Sequence, residues 1–253
     1  MNDISEILKQ WKYSPDTVTV RIIDGDDQKP KIQMRLDLGL LQMEYEGRPD
    51  GLRPHGFESF LDYQQERLNQ HLNLNGSEEG FVLDPDECAS LRGESLQYYY
   101  RYLSLFHLKD FKAVERDTAR NLKAFHFMKK YAAEEEDRFA LEQYRPYVLM
   151  MNTRAKAYQL LQDNQLTEAL DCVDAGIRKI KSFFKELGRP RLAARCSEMV
   201  ILDKLIDEIK TFKNHSPVER LRKKMKDAVA QEDYERAAQI RDEIRKLTQT
   251  NSL

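Results

Sequence analysis

The side chains of this 253-residue chain best suited to hold a charged ligand stand near its C-terminus, in "RLRKKMKD". Arg220, Arg222, Lys223, Lys224 and Lys226 fall within about two helical turns. Such a density would neutralise phosphates and make binding fall steeply with salt. The plainer reading is a solvated helix face, paired with Glu219, Asp227 and acidic neighbours, and it is preferred. Elsewhere the chemistry thins out. His55, His71, His107, His126 and His215 share no metal-ligand spacing, and no Ser/His/Asp or Cys/His set can be placed. Only His55, in the "RPHG" loop, has a distinctive setting, and even there catalysis is not favoured. "DGDD" (Asp24, Asp26, Asp27) opens like a calcium loop but lacks the later glutamate, so it reads as a turn. Cys88, Cys172 and Cys196 are odd in number and far apart, which suits buried thiols rather than disulfides or zinc. No G-x-x-x-x-G-K-[ST] is present, so no nucleotide-driven motor is expected. We therefore predict no catalytic residues, no metal and no cofactor. The chain reads as a non-enzyme.

The elements that must position these residues follow from composition and period. Charged residues make up 33% and apolar ones 41%, a balance that suits a helix-rich, water-soluble chain. No apolar run approaches the ~20 residues that span a bilayer. The start, "MNDISEILKQW", lacks a signal peptide's basic and apolar regions, so a cytoplasmic protein without membrane contact is expected. The net charge of −2 hides an asymmetry: residues 1–177 hold 22 Lys/Arg against 31 Asp/Glu (−9), 178–226 hold 15 against 6 (+9), and 227–253 hold 4 against 6 (−2). The basic segment could meet nucleic acid, an acidic partner, or the chain's own acidic half.

The expected fold class is mainly α, with a small N-terminal antiparallel β element. A short helix is predicted over 2–12. Strands over 17–46 place Val18, Val20 and Ile22, then Ile32, Met34, Leu36 and Leu38, on one oily face, with a phase change at Gly39 read as a bulge or bend. That face must cover helices or a second copy, so an edge-paired homodimer stays open. A loop rich in glycine and proline leads to a helix over 57–74, and Gly76–Asp86 reads as a polar linker. Helices follow at 86–107, 110–133, 139–161, 166–186 and 190–213. Short breaks between them make antiparallel neighbours of successive helices. Three domains are thus expected: 1–75, a helical body over 86–214, and a hairpin over 216–248.

Within the body, "TRAKAYQLLQDNQLTEALDCVDAGIRKI" resembles a tetratricopeptide repeat. Its small residues Ala157, Ala169 and Gly176 have that family's spacing, with Leu160 and Leu166 where it wants bulk. Helices cross closely only where side chains are small. The preceding pair departs from the pattern, with Tyr102 and Asn121 at positions that want small residues. The tyrosines of "QYYYRYLSLF" read chiefly as packing between helices. If they serve function, a peptide groove is preferred to a base-stacking platform.

The last stretch, "SPVERLRKKMKDAVAQEDYERAAQIRDEIRKL", carries two amphipathic helices about a four-residue polar turn. Val218, Leu221, Met225 and Ala228 recur on the first helix. Tyr234, Ala237, Arg241 and Ile244 recur on the second, beside Ile240 and Leu247. Asp233 caps the second helix, Tyr234 is expected to wedge the turn, and Ala237-Ala238 permits close approach. An aromatic, an acid, two alanines, an aliphatic, Arg-Asp and a further aliphatic appear in order at Tyr234, Glu235, Ala237, Ala238, Ile240, Arg241, Asp242 and Ile244. This pattern resembles the UvrB/UvrC motif, or UVR domain, with Tyr in place of the commoner Phe.

The resemblance implies a non-catalytic docking module, of the kind that joins excision-repair subunits and occurs in AAA+ unfoldases. The expected function is therefore a protein–protein adaptor. Its partner surface would comprise Leu221, Met225, Tyr234, Ala237, Ala238, Ile240, Arg241, Asp242, Ile244 and Leu247, meeting another UVR-type hairpin. The alternative is a nucleic-acid-associated repair factor using residues 178–226, with Arg222, Lys223, Lys224 and Lys226 on phosphates.

Overall fold

The computed structural model describes residues 3–215, 217–230 and 233–250, and within them the side chains other than those at 212–215, 217–220, 223 and 246–250. After a short helix α1 (Ser5–Gln10) comes an antiparallel meander of β1 (Val20–Asp24), β2 (Pro30–Arg35) and β3 (Leu40–Glu44), with Ile22 opposite Ile32 and Met34 opposite Leu41. β2 is central and covered on both faces. Ile32 and Met34 point into the helical core, while Lys31, Gln33 and Arg35 are buried on the reverse. That reverse face is a polar ladder. Arg21 Nε donates to Gln33 Oε1 at 2.8 Å, and Gln33 Nε2 donates to Gln42 Oε1 at 2.9 Å. Lys31 pairs with Glu44 and Asp27. Trp11 lies over the Arg21 guanidinium at 4.2 Å, and Arg35 Nε donates to the Trp11 carbonyl. Each buried cation is thus paired or hydrogen-bonded, as burial requires.

The oily strand face does cover helices, but three of its predicted members are not buried by them. Leu36 and Leu38 fall in the β2–β3 turn, closed by the Leu36 N–H on the Gly39 carbonyl, and Leu38 is 90% exposed. The phase change at Gly39 is this turn rather than a bulge. Ile22 stands on the edge strand and is half exposed.

The helices are α2 (Phe60–Asn75), α3 (Pro85–His107), α4 (Phe111–Tyr131), α5 (Glu135–Ala140), α6 (Arg145–Gln162), α7 (Leu166–Glu186), α8 (Pro190–Ala193), α9 (Ser197–His215), α10 (Pro217–Ala230) and α11 (Tyr234–Thr250). Their starts are well signed. Ser59 caps α2, Asp84 and Glu87 form a capping box on α3, and Asp110 caps α4. Three helix exits share one geometry, with Lys109, Asn164 and Gly188 left-handed. In each, the next residue donates to a carbonyl five positions back, at 3.0, 2.8 and 2.9 Å.

Two predicted helices are divided. Pro146 cannot continue a helix through Glu142, so the 139–161 stretch breaks into the end of α5, a 3-10 turn at 142–144, and α6. The 190–213 stretch breaks between Ala193 and Ser197 into α8 and α9. "EEED", read as a break, instead starts α5, because carboxylates favour a helix N-terminus.

The crossing of α6 on α7 is close. A Cβ on Gly176 would fall 2.2 Å from Thr153 Oγ1, and Ala157 and Ala169 are fully buried. On α3 and α4 the bulky Tyr102 and Asn121 are buried instead. The Gly76–Asp86 stretch is no free linker. Leu83 exchanges backbone bonds with Tyr131 and Ala133 and is fully buried, and Phe81 packs edge-on to Phe127 and Tyr131. Both belong to a second core shared by α2, α3 and α4.

A buried charge network ties the loop after β3 to the helices. Arg101 grips Asp117 through two bonds of 2.7 and 2.9 Å and also donates to the Glu44 and Gly47 carbonyls. Glu94 accepts the N–H groups of Phe60 and Leu61 at the start of α2 and pairs with Arg48 and Arg120. Tyr98 lies between the guanidiniums of Arg101 and Arg120, at 4.8 and 4.2 Å.

Candidate functional site: the C-terminal hairpin

The hairpin is assembled from its turn outward. The Asp233 N–H donates to the Ala228 carbonyl at 2.9 Å, closing the turn. The Asp233 carboxylate accepts the Arg236 N–H at 3.1 Å, capping α11 as its sequence position requires. Ser216, Gln231 and Glu232, which the hairpin and its turn were expected to include, lie outside the described residues.

The seam between the helices is made of small side chains. Ala228, Ala237 and Ile240 are buried. Leu221, Met225, Ala238 and Ile244 line up beside them and stay half-buried. The buried stripe of α11 therefore runs 237–240–244, not 234–237–241–244. Arg241 points outward, 69% exposed, with Nε and Nη2 on Asp242 Oδ1 at 3.0 and 2.9 Å. A pair so exposed between sequence neighbours contributes little stability.

Tyr234 does not wedge the turn. It is 67% exposed, because it opens α11 and the buried stripe begins one turn later at Ala237. Val229, on the other side of the turn, is 48% exposed. Sequence reading passed over Val229, although its place four residues after Met225 and eight after Leu221 continues a second apolar row along α10. The hairpin thus has a closed inner seam and an apolar surface at its turn end. α11 packs against α10, and α10 also meets α9.

The cationic residues are arranged differently. Arg222, Lys224 and Lys226 are exposed. Lys224 lies roughly 200° around the helix from the other two, so the three do not converge on one row of phosphates. Lys223 and Leu247 lie outside the described side chains, as does Arg220.

Other candidates gather no chemistry. His55 adopts a left-handed backbone and stacks on Tyr63, with ring centres 3.9 Å apart. Burial raises the Cys88 thiol to about 11, a value that suppresses thiolate chemistry near neutrality. Among the described residues no cluster of three or more His, Cys, Asp or Glu could hold a metal, and no helix is long and apolar enough to cross a membrane.

The sequence model of the UvrB/uvrC motif matches residues 216–249. No curated protein and no solved structure matches the chain.

Proposed function

We propose that this chain is a non-catalytic adaptor, and that its UvrB/uvrC motif at residues 216–249, a module known from DNA-repair proteins and from protein interactions, captures a protein partner, in the simplest case a second hairpin of the same kind. The observation that carries this reading is the unfinished apolar end of the hairpin. Tyr234 and Val229 stand in solvent, while Leu221, Met225 and Ile244 are half covered. A second hairpin could lay its own apolar row across that surface and complete a four-helix core. The contact is small, so its affinity is modest unless the body adds a second attachment.

The test is capture from native extract by the full chain, by Ile240→Asp, and by a chain ending at Asn214. Partners held by the hairpin disappear with both changes. Should every partner persist, the adaptor reading fails.

A second reading rests on the +9 balance of residues 178–226, which would place the chain on nucleic acid. It makes a different prediction. Binding to a DNA duplex would fall steeply between low and physiological salt, and Lys223→Glu with Lys224→Glu would abolish it. The adaptor keeps its partner under both changes.

A further inference from the structure

A cavity of about 1080 Å3 opens on the helical body, with walls from α3, α4, α5, the 142–144 turn and α6, and with Glu198 of α9. Its floor is aromatic. Tyr99 meets Tyr102 edge-on at 5.5 Å and Tyr147 at 6.1 Å. Their three hydroxyls meet no hydrogen-bond partner among the described residues, although Tyr102 is only 1% exposed. The Tyr102 hydroxyl is not sealed off, so the hollow is where a partner can reach it. Apolar side chains stand in solvent around this floor, with Leu96, Phe139 and Tyr144 52%, 46% and 54% exposed.

The wall is acidic on balance. Glu135, Glu136 and Glu198 belong to it, and no Lys or Arg among the described residues pairs with any of them. Arg92, the basic residue of the lining, is already committed to Asp137. Each carboxylate sits in the first turn of its own helix, where it is favoured in any case. That explains each one singly. It does not explain why two helices bring them to the same aromatic hollow.

We infer that this groove is a second docking surface, and that its occupant is a basic peptide segment of a partner protein. An aliphatic or aromatic side chain of the peptide would rest on the tyrosine floor, and lysine or arginine would face Glu135, Glu136 and Glu198. Three features select this occupant. The volume exceeds that of most single small-molecule sites and suits several side chains in a row. The carboxylates select cations, and the tyrosine faces hold a cation further by its attraction to the ring. The unpartnered hydroxyls can donate to and accept from a peptide backbone. The groove is independent of the hairpin and extends the adaptor reading by giving the body its own ligand class.

The test uses the full chain and a random dodecapeptide display library. Peptides are selected on the native protein and compared on the triple variant Glu135→Lys/Glu136→Lys/Glu198→Lys, on Phe139→Ala, and on Tyr234→Ala. All five positions are partly or largely exposed, and circular dichroism checks that each variant keeps its helices. The expected pool is rich in Lys and Arg next to Leu or Phe. It binds the triple variant at least tenfold more weakly and Phe139→Ala severalfold more weakly, and it is unchanged on Tyr234→Ala. A loss on Tyr234→Ala alone would assign the peptides to the hairpin and overturn the groove. So would a pool without basic residues, or one that does not distinguish the triple variant. Sedimentation of the full chain supplies a last arm: self-association that the triple variant abolishes would give the groove to a second copy's basic helix and overturn a separate partner.

Discussion

The helical body and the C-terminal hairpin are made of the same kind of amphipathic helix, yet they are finished differently. The body buries large side chains completely, among them Tyr102, Leu105, Met128, Met150, Ile180 and Leu202, and even seals a charge pair, Arg101–Asp117, at 1% exposure on both sides. Among its described residues the hairpin buries two alanines and an isoleucine, and leaves a valine and a tyrosine outside. Apolar burial stabilises by roughly 25 cal/mol per Å2, so a seam of alanines supplies little and a core of Leu, Met and Ile supplies much. The body can be stable by itself. The hairpin gains most from an external surface.

The contrast can be broken at either end. Its largest test lies in the body: Arg101→Leu leaves the buried Asp117 with Arg116 as its remaining cation and should cost about 3 kcal/mol, the low end for a broken buried pair, read from the urea midpoint. Partner capture by the hairpin should survive wherever the body remains folded. A loss of capture in that folded state would couple the two regions and end the distinction. Gly176→Ala comes next. The added methyl meets Thr153, and overpacking should cost about 1–3 kcal/mol, reduced by alanine's better helix propensity. Pairing it with Thr153→Ser, which removes a methyl at the contact, should recover part of the loss and would sharpen the claim that α6 and α7 touch there. Smallest in stability is Tyr234→Ala, expected within about 0.5 kcal/mol of the native chain because the ring touches water. Its partner should nevertheless bind about tenfold more weakly, measured by titration calorimetry. Equal binding would show that the exposed ring is idle.

Much of the body was legible because its helices repeat apolar residues at helical spacing and begin with good caps. Where the reading failed, long-range contacts decided. "EEED" looks like a polar interruption, yet its carboxylates open a helix whose other side packs against α4. Gly76–Asp86 reads as a tether because Phe81 and Leu83 are two apolar residues among many polar ones, and local period cannot tell that a core awaits them. Lys31, Gln33 and Arg35 alternate like a solvent face, yet partners on the neighbouring strands, in the two turns and at Trp11 bury them. In the hairpin, the alanines and Ile240 followed from their spacing. The outward setting of Tyr234 and Val229 did not, since rotation about each helix axis is fixed by the turn between them, which a one-dimensional period does not contain.

The tethering of Leu83 has a practical consequence for anyone dividing the chain. Residues 73–80 are exposed and open to protease, whereas the segment that follows is stitched to Tyr131 and Ala133 through Leu83 and plugged into the second core. A nick there should leave two fragments that stay together through gel filtration and part only in denaturant. A chain begun afresh at Asp86 would instead bare the hollow that Leu61, Phe81 and Leu83 had filled, and its insolubility would say nothing about what the protein does.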